Sequence, residues 1–370
     1  MAFNPTDHAY MARAIQLAEA GRALTTPNPF VGCVIVKNGR IIGEGCTQPG
    51  GRPHAEAEAL AACRENPAGA TAYVTLEPCC PHPHARGPAC ADLLIAAGVK
   101  RVVSALHDPF DGVNGGGHSR LIAAGITVET GLMEEAVRQQ LRAFLSRVTR
   151  QKPWVSLKIA ASLDGKTALN NGQSQWITSP AARRDVHRLR SEACAILTGI
   201  GTLLADDPQL TVREVPCQRQ PLRILLDHQL QIPDQARLLA DNNVLILTTQ
   251  GDAARRAALL ARGVRVLEAP IDAGTGKADL AATLTLLAQL KPHAINHLMV
   301  EAGAKLNASL LRAGVVDEII LYLAPSLLGD SAQGLFALPA LTSLADKISL
   351  DITDLTRVGP DIRITASVLG

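Results

Sequence analysis

Apolar and polar positions follow two periods along this chain, and the switches between them mark its elements. Residues 7–20 carry apolar side chains at helical spacing, with Thr6 or Asp7 as N-cap and Gly21 as stop. Between Val31 and Cys46 the apolar runs VIV and II flank Asn38-Gly39, a dipeptide suited to a type I′ turn, so this stretch reads as a hairpin. The pattern then predicts helices over 54–65, 90–97 and 118–124, strands over 71–76, 101–106 and 126–130, and an amphipathic helix over 133–147. Strands alternating with short helices imply a largely parallel sheet covered on both faces.

Gln151-Lys152-Pro153 interrupts this series, and proline disfavours a helical residue before it. Two domains are therefore expected, over residues 1–147 and 152–370. In the second, strands are predicted near 154–161, 194–199, 222–227, 243–248, 264–267, 297–301 and 316–323. Helices are predicted near 252–262, 278–290 and 304–313, and Ser179-Pro180 starts another that runs to about 191. The last twenty residues read as two strands joined at Gly359-Pro360. The second domain is thus also α/β.

Composition agrees with two folded domains. The 370 residues exceed the roughly 250–300 that one core supports. A hydrophobic share of 47% excludes a disordered chain. No apolar run reaches the ~18 residues of a membrane helix, and Met1–Ala20 lacks a basic-then-apolar signal pattern. The expected location is the cytoplasm, with no membrane partner. Lys plus Arg number 36 against 34 acidic residues, and the balance is equally close in each half. Any anionic ligand must be met by a local cluster. With 2 Trp, 3 Tyr and 5 Phe, stacking platforms are few, which argues against a nucleic-acid partner.

A cytosolic chain keeps its thiols reduced, so clustered cysteines suggest metal or catalysis before disulfides. Cys33, Cys46, Cys63, Cys194 and Cys217 stand singly among small apolar residues and read as ordinary core or surface positions. Cys79, Cys80 and Cys90 are grouped, and upstream of them lies His54-Ala55-Glu56. An imidazole and two thiolates suit zinc, with a fourth position open to water. Glu56 stands beside a ligand without being one and is placed to carry protons. Cys90 opens a helix, where the dipole favours thiolate. H-x-E followed by P-C and a later Cys is the signature of zinc deaminases. Its short form is P-C-x-x-C, whereas ten residues separate Cys79 from Cys90 here. Cys80 is an alternative to Cys79 as ligand, and His82 and His84 lie in the same loop.

In the second domain two nucleotide-binding patterns fail. Gly199-Ile200-Gly201 meets Leu204 where G-x-G-x-x-G needs glycine, and Gly274-Thr275-Gly276-Lys277 lacks the first P-loop glycine. The small residues at 199–201, and the strand-to-helix junction at Val300-Glu301-Ala302-Gly303, still allow backbone amides to approach a phosphate.

Thr26-Pro27-Asn28-Pro29-Phe30-Val31-Gly32, His54-Ala55-Glu56 and Thr75-Leu76-Glu77-Pro78-Cys79 together resemble the deaminase domain of the bifunctional riboflavin-biosynthesis deaminase–reductases. Residues 153–167, Ser174–Ser179, Thr198–Thr202 running into Asp206-Asp207-Pro208, and Val300–Gly303 resemble the reductase domain of the same family. The resemblance covers nearly the whole chain. It implies a cytidine-deaminase-like α/β/α domain and a dihydrofolate-reductase-like α/β domain, with zinc and NADPH as cofactors. It implies hydrolytic deamination of a 2,5-diamino-6-ribosylaminopyrimidinone 5′-phosphate, then reduction of its ribosyl chain to ribityl.

Carried over by position, the resemblance makes His54, Cys79 and Cys90 the zinc ligands and Glu56 the catalytic residue. Asn28, His84 and Arg86 then meet the pyrimidine substrate. Ala160, Trp176, Thr202, Asp206 and the turn at Gly303 meet the cofactor. Ser174, Arg190, Leu210, Arg213 and Glu301 meet the reductase substrate. The planar forks of Arg190 and Arg213 suit a sugar phosphate. Lys152 and Lys158 could each supply charge or a proton. The family separates its cysteines by eight residues, so the two extra residues here leave the register of Cys79–His82 open. Asp108-Pro109-Phe110-Asp111 replaces the family's D-P-N-P. Two other readings remain: a nucleoside or tRNA deaminase with a binding-only second domain, and a chain whose insertion has spoiled the zinc loop. A homo-oligomer with a neighbour-completed sheet edge is compatible with the sequence.

Overall fold

The computed structural model describes residues 3–83, 87–292 and 294–369. Two compact units emerge, Met1–Lys152 with Lys291–Asn296, and Pro153–Leu290 with His297–Gly370. The short segment before residue 297 thus belongs with the first unit, although the sequence pattern gives no sign of it.

The first unit opens with helix α1 (Pro5–Ala18). It starts two residues earlier than the pattern suggests, because Asn4 is the cap. Asn4 Oδ1 accepts from the Asp7 amide at 2.8 Å, and Asp7 Oδ2 accepts from the Asn4 amide at 3.2 Å. This reciprocal box satisfies two otherwise orphaned donors. The hairpin is present as strands β1 (Gly32–Lys37) and β2 (Arg40–Cys46). Next come α2 (Ala55–Ala61), β3 (Thr71–Leu76), α3 (Cys90–Ala96), β4 (Arg101–Leu106), α4 (Gly116–Ala123) and β5 (Thr127–Thr130). The single helix predicted over 133–147 is two helices, α5 (Glu134–Gln140) and α6 (Arg142–Arg150), joined at the fully buried Leu141.

The sheet order is β2-β1-β3-β4-β5. Only β3, β4 and β5 run parallel, since β1 is antiparallel to both neighbours. The hairpin reverses the chain, and the crossover through α2 then sets β3 on the far side of β1. Helices cover both faces. A Cβ at Gly32 would stand 1.9 Å from the Ala14 carbonyl in α1, and one at Gly45 would stand 2.4 Å from the Ala59 amide in α2. Gly45 pairs with Cys33, the residue after Gly32, and successive strand residues face opposite sides. Helices α1 and α2 therefore sandwich the sheet. The core between them is aliphatic, with Val34, Ile35, Val74, Leu94, Val102 and Leu121 fully buried. Each such side chain contributes roughly 1.5–3 kcal/mol on burial.

The second unit comprises β6 (Trp154–Ser162), β7 (Lys166–Ala168), α7 (Pro180–Glu192), β8 (Ala195–Gly199), α8 (Ile200–Asp206), β9 (Leu222–Leu226), β10 (Val244–Thr248), α9 (Ala253–Ala261), β11 (Arg265–Glu268), α10 (Leu280–Ala288), β12 (His297–Val300), α11 (Ala304–Arg312), β13 (Glu318–Ala324), β14 (Gln333–Gly334), β15 (Leu350–Val358) and β16 (Asp361–Val368). Its nine-stranded sheet has the order β11-β10-β9-β8-β12-β6-β13-β16-β15. The first seven are parallel, and the C-terminal hairpin adds two antiparallel strands. Strands β9 and β10, each paired on both sides, are nearly uninterrupted apolar runs, as burial on both faces requires. The chain winds outward from β8 to β11, then returns to place β12 beside β8. That reversal makes a crevice at the carboxyl ends of β8 and β12.

Candidate active site

In the first unit three local features converge. His54 is the N-cap of α2, Cys79 follows the end of β3, and Cys90 is the first residue of α3. His54 Nδ1 lies 3.5 Å from Cys79 Sγ and 3.3 Å from Cys90 Sγ. Zn–N bonds of about 2.0 Å and Zn–S bonds of about 2.3 Å in a tetrahedron require N···S edges of roughly 3.5 Å. The donor set therefore fits zinc in both chemistry and spacing. The Cys90 amide also donates to Cys79 Sγ at 3.3 Å. Hydrogen bonding from the Cys90 thiol, aided by that amide and by His54, pulls the Cys79 thiol well below its ordinary range. Cys80 does not join this set. Its thiol faces the Gly112 carbonyl at 3.5 Å.

Glu56 lies in the first turn of α2, buried and in hydrogen-bonding reach of the Cys90 thiol. Burial pushes its carboxyl up to about 7. Asn28 is exposed on the turn after Pro27, and its amide donates to the Thr25 carbonyl at 2.9 Å. Its side chain lies over Gly51, where a Cβ would stand 2.0 Å from Asn28 Nδ2. Gly51 adopts φ +89°, so glycine is required there on both counts. Asn28 thus rests against Gly51, which precedes His54 by three residues in the sequence. His82 packs edge-on against Phe110, with ring centroids 5.7 Å apart. His84 and Arg86 lie outside the described residues.

Glu77 has a role that the motif alone does not disclose. Its Oε1 accepts from the Gly117 and His118 amides at 3.0 and 3.1 Å, and its Oε2 from the Asp108 and Gly115 amides at 3.3 and 3.1 Å. It caps α4 and anchors the 108–118 loop two residues before Cys79. The donor atoms of Glu77, His107 and His118 also lie within 4.8 Å of one another. Both Glu77 oxygens already accept two amide protons, so this group acts as a loop anchor. The sequence signal was an acidic residue serving a helix N-terminus, but Gly117 lies 40 residues further along the chain.

In the second unit the crevice at β8 and β12 gathers most of the expected residues. Glu301, directly after β12, accepts from Arg190 Nε at 2.6 Å, Arg190 Nη2 at 3.0 Å and Lys158 Nζ at 3.4 Å. Burial opposes ionisation of Glu301, but Arg190 and Lys158 overcome it and hold the carboxyl at about 2. The fork of Arg190 is engaged here rather than open to a phosphate, and Nη1 is occupied by the Thr211 carbonyl at 3.1 Å. Lys158 rather than Lys152 is the lysine at this carboxylate. Arg213 is exposed, with Nη1 donating to Thr211 Oγ1 at 2.9 Å. Leu210 is buried in a left-handed turn with φ 53°.

Trp176 is 71% exposed, and the Arg183 guanidinium sits 4.6 Å from its ring centroid. Ser174 Oγ donates to Asp206 Oδ1 at 3.1 Å, which ties the Trp176 segment to the end of α8. Gly303 is the N-cap of α11, and a Cβ there would lie 3.6 Å from Thr202 Oγ1. Among the described residues, nothing stands within 4 Å of a Cβ at Gly201. Ala160 lies on β6, half-buried, paired with Tyr322 of β13. A flat exposed indole, open glycine backbone and a helix N-terminus capped by glycine suit a ring and a pyrophosphate. The residues fit a dinucleotide.

Residues 4–106 match the cytidine and deoxycytidylate deaminase zinc-binding region, and residues 153–364 match the RibD C-terminal domain. The chain therefore joins a zinc-dependent deaminase domain to a reductase domain. The riboflavin biosynthesis protein RibD of Escherichia coli K12 is 47% identical over 369 residues, covering 96% of this chain and 98% of that protein. The Haemophilus influenzae RibD is 41% identical, covering 100% and 99%. Among solved structures, Acinetobacter baumannii RibD superposes with a TM-score of 0.90 at 39% identity, covering 99% of both chains. A diaminohydroxyphosphoribosylaminopyrimidine deaminase/5-amino-6-(5-phosphoribosylamino)uracil reductase from Thermotoga maritima reaches 0.85 at 31%, covering 98% of this chain and 99% of that one. This chain belongs to the RibD family, the bifunctional deaminase–reductases of riboflavin biosynthesis, which use zinc and NADPH.

Proposed function

We propose that the first unit removes the ring 2-amino group of a 2,5-diamino-6-ribosylaminopyrimidinone 5′-phosphate, and that the second reduces the ribosyl chain of the product to ribityl. The convergence of His54, Cys79 and Cys90 beside a buried Glu56 carries the reading. Zinc held by those three residues supplies activated water at neutral pH. Glu56 takes a proton from the attacking water and returns it to the departing nitrogen, which leaves as ammonia. Asn28 holds the pyrimidine. The convergence also supports a competent zinc loop despite its longer spacing.

In the second unit NADPH supplies the hydride. Trp176, Thr202, Asp206, Ala160 and the turn at Gly303 hold it. Ser174, Leu210, Arg213 and the Arg190–Glu301–Lys158 group hold the substrate, with Arg190 orienting Glu301 toward its hydroxyl and N–H groups. The near-neutral charge and scarce aromatics favour this small-molecule reading over a tRNA deaminase. No helix among the described residues is long and apolar enough to cross a membrane, which agrees with a cytoplasmic enzyme.

One preparation tests both halves: ammonia release from the diaminopyrimidine phosphate without nucleotide, then NADPH consumption once it is added. Glu56→Gln should keep its zinc and lose ammonia release. Deamination at the wild-type rate would remove Glu56 from the mechanism, and tight binding of tRNA without activity on the small molecule would overturn the substrate.

A further inference from the structure

We infer that Asn296, from the reductase half of the sequence, is a positioning residue for the deaminase site. The segment Lys291–Asn296 leaves the second unit between α10 and β12 and belongs with the first. At its end Asn296 is buried, and its Nδ2 donates to the Pro27 carbonyl at 3.2 Å. Arg147 Nη2, from α6, donates to the same carbonyl at 3.0 Å, and Arg147 Nε donates to Asn296 Oδ1 at 2.5 Å. The three groups close a triangle on one peptide oxygen.

That oxygen belongs to the peptide plane that contains the Asn28 nitrogen. A peptide is planar, so fixing its oxygen fixes its N–H. The N–H is held in turn by the Thr25 carbonyl at 2.9 Å. With the plane tethered at both ends, the Asn28 backbone is fixed on its N-terminal side, and its side chain rests against Gly51, which precedes His54 by three residues in the sequence. A ring that must meet Asn28 and the metal centre together gains from this preorganisation, because less freedom is lost on binding. The deaminase domain read from the sequence, residues 1–147, contains Arg147 but lacks Asn296. Half of the clamp therefore comes from beyond the domain boundary.

This inference rests on the reading of Asn28 as a substrate-binding residue. Full-length Asn296→Ala and Asn28→Ala are compared with the wild type in three readouts: kinetics of ammonia release, zinc content, and NADPH oxidation with the deaminated substrate. Asn296→Ala should raise the deaminase KM about fivefold, as loss of one hydrogen bond implies. Its kcat, zinc content and reductase kinetics should stay near wild type. Asn28→Ala should raise the same KM at least as much. A wild-type KM in Asn296→Ala beside a raised KM in Asn28→Ala overturns the positioning role alone. A wild-type KM in Asn28→Ala overturns the reading beneath it and this inference with it. A fall in kcat and zinc content instead of a KM effect also overturns it, since that marks general damage. Should Asn296→Ala not fold, Arg147→Lys tests the same carbonyl. A wild-type KM there counts against the clamp, and a raised KM with full zinc supports it.

Discussion

Arg190 holds Glu301 by two hydrogen bonds at once, Nε to Oε1 at 2.6 Å and Nη2 to Oε2 at 3.0 Å, the bidentate geometry of a strong charge-assisted pair. Both side chains are largely covered, 11% and 10% exposed, so removing one leaves an uncompensated charge. Glu301→Gln should destabilise the second unit by about 3 kcal/mol, in line with other broken buried pairs. It should lower reductase kcat/KM by at least about tenfold. Ammonia release by the same protein should be unchanged. NADPH oxidation at the wild-type rate would show that Glu301 is not needed.

Glu77 gathers four backbone N–H groups into one carboxylate. Glu77→Gln replaces one acceptor oxygen with an NH2 that faces amide donors. A loss of about 1–3 kcal/mol follows from the unsatisfied donors. Hydrogen exchange should accelerate at the amides of Gly115, Gly117 and His118, with weaker retention of zinc under chelator challenge. Unchanged protection at those amides would contradict the anchoring role.

Asp7 links α1 to the sheet. Its Oδ1 accepts from Tyr73 Oη at 2.6 Å and from Arg101 Nη1 at 2.7 Å. The Arg101 hydrogen bond, outweighing the opposing effect of burial, holds the Asp7 carboxyl at about 2, below its ordinary value of 3.8. A depressed folded-state pKa stabilises the fold above the unfolded pKa and loses that contribution as pH falls through the folded one. The stability difference between wild type and Asp7→Asn should therefore be full at pH 7 and shrink between about pH 4 and about pH 2. Denaturant titrations across that window measure it, and a constant difference would refute the linkage.

Metal removal should separate the two activities. Chelation should abolish ammonia release and leave NADPH oxidation with deaminated substrate intact. Cys79→Ser should lose zinc at least about tenfold faster than wild type, whereas Cys80→Ser, whose thiol faces Gly112, should keep it. Zinc loss from Cys80→Ser but not from Cys79→Ser would reverse the ligand assignment.

Much of this was legible in the sequence because the relevant signals are local. His54 and Glu56 sit one helical turn apart at most, Cys90 opens its own helix, and Asn38-Gly39 dictates its own hairpin. What escaped depends on contacts between distant segments. The apolar run marks β1 as a buried strand but not that its neighbours both run antiparallel to it. Asn4 competes with Thr6 and Asp7 as cap, and only the reciprocal bond with Asp7 decides for Asn4. Glu77 binds backbone amides, which leave no trace in side-chain patterns. Arg190 looked free for a phosphate because nothing in its neighbourhood of the chain announces Glu301, 111 residues away. The excursion of Lys291–Asn296 into the other unit has no local marker at all.

The exposed indole at Trp176 gives the protein an optical asymmetry. The chain contains 2 tryptophans, Trp154 and Trp176, and both belong to the second unit. Emission excited selectively in the indole band therefore originates in the reductase alone, while the deaminase stays dark. Arg183 over the Trp176 ring makes that emission responsive to whatever displaces the guanidinium. Nucleotide arrival at one site could then be followed by fluorescence while the other turns over, with no label introduced into either.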